Sequence, residues 1–298
     1  MYTWIIEGKL AQAPLPSRST FKQLMEAFTG IIVLPTWREL PVLYIDHLKE
    51  AGLDVLHIPT PDNYPVELLD VLRASLFIEK HVSRGGAVLV HCYGGIGRSG
   101  QVTAGYLIYK GYGVYEALLH VRSKVPGSVE NQWQLQLLED YYMLTSSVDR
   151  LLLSRFVEVV EELSETDGVS YKHLSKVLQF TIELYNGLGL NNVDVRRELY
   201  ASMLHAHRDN VIKLLKEKTG LAMESSEGLV DFSHSLDYKM DSKVVVLHTR
   251  TLDKPEITLL CSEPCEDTVN VAEGNSAKLT ALLGVKPVLS WGIYSDYI

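Results

Sequence analysis

Over roughly the first 145 positions, solid runs of apolar residues alternate with longer stretches in which apolar residues recur every three or four positions. The solid runs are "GIIVLP" (Gly30–Pro35), "DVLHIP" (Asp54–Pro59) and "GGAVLVH" (Gly85–His91), each bounded by proline, glycine or an acidic residue. Each predicts a short buried strand. Between them, "STFKQLMEAF" and "PVELLDVLRASLFIEKHVS" have helical spacing, the second with Pro65 near its start, where a missing N–H costs little. "SGQVTAGYLIYKGY", "VYEALLHVRSKV" and "VENQWQLQLLEDYYML" extend the helical set. Strands alternating with helices predict an α/β layer around a mainly parallel sheet.

The pattern changes near residue 150. "LLLSRFVEVVEELSE", "SYKHLSKVLQFTIELYNGL" and "NVDVRRELYASMLHAHRDNVIKLLKEKTG" predict three amphipathic helices, punctuated by glycine. From about Ala222 short β-like runs take over: "KVVVLHTR", "EITLLC", "KLTALL" and "KPVLSW". The expected organisation is an α/β domain over residues 1–149 and an accessory region of unassigned role over 150–298. That region is expected to be helical over about 150–220 and β-rich over about 221–298. The sequence contains no internal repeat and no low-complexity tract.

Composition narrows the class. The chain has 298 residues, 46% hydrophobic and 22% charged, as in a water-soluble globular protein. No apolar run approaches the roughly 18 residues of a membrane span, and no basic leader precedes an apolar stretch, so a cytoplasmic location is expected. The net charge is −9, with 12 Lys+Arg against 15 Asp+Glu in residues 1–149 and 16 against 22 in the remainder. Neither half offers the cationic surface that nucleic acid or anionic membrane requires, so neither is expected as a partner. Oligomeric state is not legible. Three cysteines are too few for a disulfide framework. Cys261 and Cys265, in "CSEPCED", lack a second ligand pair and are expected as buried or incidental residues rather than a zinc site. His205 and Asp209 share a helical face without a second histidine at that spacing, and His207 points elsewhere; surface or packing roles are expected.

The segment "VLVHCYGGIGRSGQ" (Val88–Gln101) carries the chemistry. A strand delivers His91 and Cys92, glycines follow, and a helix is expected from about Ser99. Glycine permits close backbone approach and positive φ, so successive N–H groups can form an anion-binding nest over Tyr93, Gly94, Gly95, Ile96 and Gly97. The helix N-terminus adds free donors, and Arg98 adds a planar fork that fits two phosphate oxygens. A thiol at the mouth of such a cradle is expected as a thiolate, a nucleophile aimed at a phosphate ester. Glycine-rich strand–helix turns also bind cofactor phosphates without chemistry. Here, however, no Lys-Ser/Thr follows the glycines and the G-x-G-x-x-G order is missing.

His91-Cys92-(five residues)-Arg98-Ser99 resembles the H-C-x5-R-S/T signature of the cysteine-dependent protein tyrosine and dual-specificity phosphatases. The likeness runs from about Trp4 to Tyr142 and is strongest to small dual-specificity members; the remaining half lies outside it. It implies a parallel-sheet phosphatase domain with helices on both faces. It also implies a general acid about thirty residues before the cysteine, where "IPTPDNYP" places Asp62. Asp54 and Asp70 are the alternatives, in strand-like and helix-like settings. Thr60-Pro61-Asp62 keeps the family's Pro-Asp and lacks the preceding Trp. Ser99 is implied as a donor to the leaving sulfur, beside an ordinary role at the helix start, and His91 as an orienting group. A glutamine that places water is implied in "PGSVENQWQ", with Gln134 first and Gln132 second. No metal and no cofactor are expected, since Arg98 and the nest serve instead.

The expected activity is hydrolysis of phosphotyrosine in proteins or peptides through a phosphocysteine, with phosphoserine and phosphothreonine left open. The rivals are an inositol-phosphate, inositol-lipid or RNA 5′-phosphatase of the same fold, and a phosphate-recognition module without turnover. Tyr-Gly-Gly-Ile-Gly is uncharged, which favours singly phosphorylated residues, and the Asn-Arg-Tyr type of clasp for phosphotyrosine is missing.

Overall fold

The computed structural model describes all residues except 1, 167–169, 206–212, 214–215, 221–227 and 252. The chain divides into two compact units, Met1–Tyr142 and Met143–Ile298.

The first unit is built on a five-stranded sheet: β1 (Thr3–Ile6), β2 (Leu10–Ala13), β3 (Gly30–Val33), β4 (Asp54–His57) and β5 (Val88–His91), in the order β1-β2-β5-β3-β4. β2, β5, β3 and β4 run parallel; β1 pairs antiparallel with β2 at one edge. The three central runs read from the sequence are strands. The β1–β2 hairpin at the N-terminus was not foreseen: two four-residue strands around Gly8 give too short an alternation to register.

Strand side chains alternate between faces. Ala11, Ala13, Ile31, Val33 and Leu89 face one core, closed by Phe21 and Leu24 of α1 (Phe21–Ala27) and by Tyr44, Ile45 and Leu48 of α2 (Tyr44–Glu50). The opposite face meets α3 (Leu68–Val82), α4 (Gly97–Tyr109) and α5 (Val114–Lys124). Helix α4 is buried from Gly97 to Ile108. Close approach makes that possible, since a Cβ on Gly105 would lie 2.4 Å from Val71 Cγ1. α6 (Gln132–Ser147) follows.

The second unit begins with amphipathic α7 (Arg150–Thr166) and α8 (Tyr171–Gly187), which is buried from His173 to Leu184, then α9 (Val195–Met203) and α10 (Leu229–Ser235). A second sheet, in the order β6 (Val244–Arg250), β7 (Glu256–Cys261), β8 (Val288–Ile293), is antiparallel at the first pairing and parallel at the second. β6 is an edge, and side chains of α8 cover its backbone. Lys176 and Gln179 donate to the Val245 carbonyl at 3.0 and 2.9 Å, and Glu183 accepts the Leu247 N–H at 2.9 Å. An edge so occupied cannot template a further strand.

Three expectations for this half need correction. Residues 221–298 are mixed rather than β-rich: besides three strands they hold α10, α11 (Glu266–Gly274) and α12 (Ala277–Leu283). "KLTALL" belongs to α12, because Leu279, Leu282 and Leu283 have helical spacing and pack into the core on one face. Cys261 and Cys265 are bonded to each other: Ser262–Pro264 turn the chain so that the last residue of β7 meets the first cap of α11, with Cα atoms 6.4 Å apart. Of the long third helix expected, Val195–Met203 is helical; His207 and Asp209 lie outside the described residues.

Gln12 on β2 couples this framework to the loop after β5. Its Nε2 donates to the Gly95 carbonyl at 2.9 Å and to Ser128 Oγ at 3.1 Å, and its Oε1 accepts from Thr103 Oγ1 at 2.9 Å, all buried. Gln12→Leu should therefore lower stability by about 1–3 kcal/mol, the cost of stranding buried partners. A denaturant midpoint indistinguishable from wild type would contradict that coupling.

Candidate active site

β5 lies between β2 and β3, and Cys92 follows it at the carboxyl edge of the sheet, where ligands of open α/β sheets bind. The chain turns through Tyr93–Ile96 into α4, which starts at Gly97, two residues earlier than expected; Arg98 and Ser99 therefore both sit in its first turn. Gly95 has φ +75°, and a Cβ there would lie 2.3 Å from Pro14 N. Only glycine fits.

The loop carbonyls face the body of the domain. Tyr93 O accepts the Leu15 N–H at 3.0 Å, and Gly95 O accepts Gln12. In a trans peptide the N–H of the next residue points the opposite way. The amides of Gly94 and Ile96 thus face away from these anchors, as an anion nest requires. Cys92 is buried; its Sγ accepts the Gly95 N–H at 3.1 Å and lies 3.4 Å from Ser99 Oγ.

Arg98 is 1% exposed. Its Nη1 donates to Glu39 Oε2 at 3.1 Å and to the Thr60 carbonyl at 2.7 Å; its Nη2 donates to Glu39 Oε1 at 2.8 Å and meets Asp62 Oδ1 at 2.9 Å. Its buried Nε–H has no hydrogen-bond partner among the described residues. Desolvation works to lower the guanidinium pKa, but the Glu39 hydrogen bond and the neighbouring negative charges outweigh it and raise it. For Glu39, burial alone would raise the pKa; the bonds from Arg98 and from the Thr36 N–H and hydroxyl, the latter two at 2.8 Å, hold it below the usual carboxylate range.

Asp62 is largely exposed, on the loop after β4. It opens with Thr36, Trp37, Arg38, Glu39, Pro61 and Tyr93 onto a cleft of about 710 Å³. Asp54, the strand alternative, pairs with Lys80 and His81 at 3.0 and 3.1 Å instead, and Asp70 lies 4.0 Å from Arg73 on α3. Gln134 is buried behind the loop: its Oε1 accepts the Glu130 N–H at 2.9 Å, and its Nε2 would lie 3.1 Å from a Cβ on Gly97. Gln132, at the start of α6, is exposed.

The structure thus brings Cys92, Ser99, Arg98 and Asp62 to one place, with Tyr93 and Gly94 exposed at its rim and Gln134 behind. Sequence reasoning missed Glu39, which lies in "TWRELP" with nothing to distinguish it from a surface acid. It also missed Tyr44, whose hydroxyl is 3.3 Å from His91 Nε2.

With that geometry established, comparison with known proteins is informative. The family profile described as "Dual specificity phosphatase, catalytic domain" matches residues 17–143. That half of the chain belongs to the dual-specificity phosphatase family. Dual specificity protein phosphatase Mpk3 of Drosophila melanogaster is 38% identical over 81 residues, 26% of this chain and 20% of its own length. Dual specificity protein phosphatase 1 of Arabidopsis thaliana is 40% identical over 65 residues, 22% of this chain and 33% of its own. The chain therefore spans about a fifth and about a third of these curated relatives. Among solved structures, Tk-PTP in its active form is 35% identical, with a TM-score of 0.46 over 48% of this chain and 96% of that one.

Within the phosphatase-family half, His91 ends β5 immediately before Cys92. Its Nδ1–H donates to the Cys92 carbonyl at 3.2 Å, which leaves Nε2 to accept from the Tyr44 hydroxyl. Complete burial lowers its pKa from the usual 6.5 to about 4, so it is neutral at physiological pH. An unfolded chain takes up that proton near 6.5 and the folded one only near 4. Stability present above pH 6.5 is accordingly lost as pH falls toward 4, by on the order of 3 kcal/mol from this group. Chemical denaturation between pH 7 and pH 4 should show that slope diminished in His91→Gln; an unchanged slope would refute the assignment.

Proposed function

We propose that the chain is a phosphomonoesterase acting on phosphotyrosine in proteins, with residues 1–149 as its catalytic domain and 150–298 as an accessory region. The single observation that carries this reading is the edge of Arg98. Nε and Nη2 form one side of the guanidinium fork, the first a buried donor without a partner among the described residues and the second shared with exposed Asp62. Two oxygens of a phosphate satisfy that edge. The incoming dianion replaces Asp62 on Nη2, and Glu39 keeps the fork in plane through both Nη atoms.

In this mechanism the Cys92 thiolate attacks phosphorus. The S–P bond forms as the P–O bond to the tyrosyl oxygen breaks; Asp62, released from Arg98 and taking up a proton from solvent once that ion pair is broken, gives this proton to that oxygen. The equatorial oxygens gather charge against Arg98 and the amides of the nest. Water then attacks the phosphocysteine, giving a proton to the Asp62 carboxylate as its oxygen bonds phosphorus; the S–P bond breaks, inorganic phosphate leaves, and Ser99, 3.4 Å from Sγ, donates to the departing sulfur. Gln134, lying against Gly97, is the water-holding side chain of this reading, with Gln132 second. The cleft favours an aryl ester: Trp37 and Tyr93 are exposed at 67% and 59%, two aromatic faces beside the cradle. The loop has no lysine for a second phosphate.

Cys92→Ser should abolish turnover of p-nitrophenyl phosphate while phosphotyrosyl peptide binding persists; wild-type turnover by this variant would overturn the mechanism. Asp62→Asn should slow phosphotyrosyl peptide about 10²–10⁴-fold, with a much smaller loss for nitrophenyl esters, whose leaving group needs no proton. An equal loss on both substrates would remove Asp62 as the acid.

A further inference from the structure

Three histidines of the second unit converge. His173 lies on α8, His205 just after α9 and His234 on α10, and one ring nitrogen from each lies within 4.8 Å of the others. His234 Nδ1 is 2.9 Å from His205 Nε2 and 3.2 Å from His173 Nε2. Two imidazole nitrogens on a tetrahedral zinc ion, each about 2.0–2.1 Å from the metal, are about 3.3 Å apart. Two of the three separations in the cluster, at 2.9 and 3.2 Å, are near that distance, and the third is within 4.8 Å.

Proton positions point the same way. A neutral imidazole has one N–H. His173 Nδ1 lies 2.8 Å from Asp237 Oδ2, and a carboxylate only accepts, so the proton sits on Nδ1 and Nε2 presents a lone pair. His234 Nδ1 faces the Nε2 atoms of both other rings. A cation draws on all three lone pairs at once. Asp237 is buried, and its other oxygen accepts the Ser242 N–H at 2.8 Å, so the His173 ring is held from behind. A carboxylate behind a ligating histidine is the usual outer-shell support of zinc sites.

We propose that His173 Nε2, His205 Nε2 and His234 Nδ1 bind a zinc-class divalent cation. An all-imidazole set suits zinc, copper or nickel and not magnesium or calcium, which demand oxygen. His173 is buried, while His205 and His234 are partly exposed and give the ion its entry side. A metal-binding helix would carry two histidines four apart, a spacing these three do not have. The ligands come instead from three elements.

The test uses the full chain carrying Cys92→Ser, which removes a competing thiol and makes the result independent of turnover. After chelator treatment and dialysis, titration with zinc should give about one equivalent bound and a raised melting temperature, as for any ligand of the folded state alone. Cobalt should give the visible absorption of a nitrogen-rich tetrahedral site. His205→Gln and His234→Gln, at partly exposed positions, should lose this equivalent while keeping the far-ultraviolet circular dichroism of the parent. Asp237→Asn should weaken it about 10–100-fold. The proposal is overturned if the parent binds no zinc, or if both histidine variants bind as tightly as the parent.

Discussion

A permanent positive charge buried at the carboxyl edge of the first sheet sets the arrangement around it. Arg98 cannot shed its proton, and a guanidinium removed from water is costly unless its donors are matched. Two segments supply the match at its Nη atoms, Glu39 from the stretch after β3 and the Thr60 carbonyl with Asp62 from the loop after β4, while the first turn of α4 carries the arginine itself. The loops are positioned by this demand as much as by their own turn chemistry. Glu39, clamped in turn by Thr36, makes the fork a rigid object rather than a mobile side chain.

The cradle around Cys92 is the backbone counterpart of that arrangement. Its carbonyls are held by Leu15 and Gln12, which orients the intervening amides without any side chain entering the space. Gly95 is required by its positive φ and by the backbone of Ala13 and Pro14 behind it. A nest built this way is fixed before a phosphate arrives, so little reorganisation is needed during the proposed reaction. Neutral His91, just before Cys92 and with Tyr44 as its donor, adds no charge that would compete for the anion.

The second unit solves a different problem, an edge strand and a buried helix with polar residues on it. Lys176, Gln179 and Glu183 break the apolar pattern of α8, yet all three are buried and satisfied, two of them with the Val245 carbonyl and one with the Leu247 N–H. From sequence they look like a solvated face. The histidine cluster is hidden in the same way, since positions 173, 205 and 234 share no spacing rule. The Cys261–Cys265 bond is concealed for a related reason: a separation of four says nothing until the chain is known to bend at Ser262 and Glu263.

The sequence by itself determined the α/β order of the first half, its three central strands, and the cysteine-to-arginine stretch. Those features are local: period-two and period-3.6 burial, glycine punctuation and short-range spacing leave their mark within a dozen residues. Only the tertiary structure decided that Glu39 grips Arg98 across 59 residues of chain, that Gln12 holds Gly95 across 83, and that three histidines from three elements share one point. Pairings of that kind follow from which strands lie side by side and which helix ends they bring together. A charge or an imidazole reveals its partner only once the chain has folded back upon it.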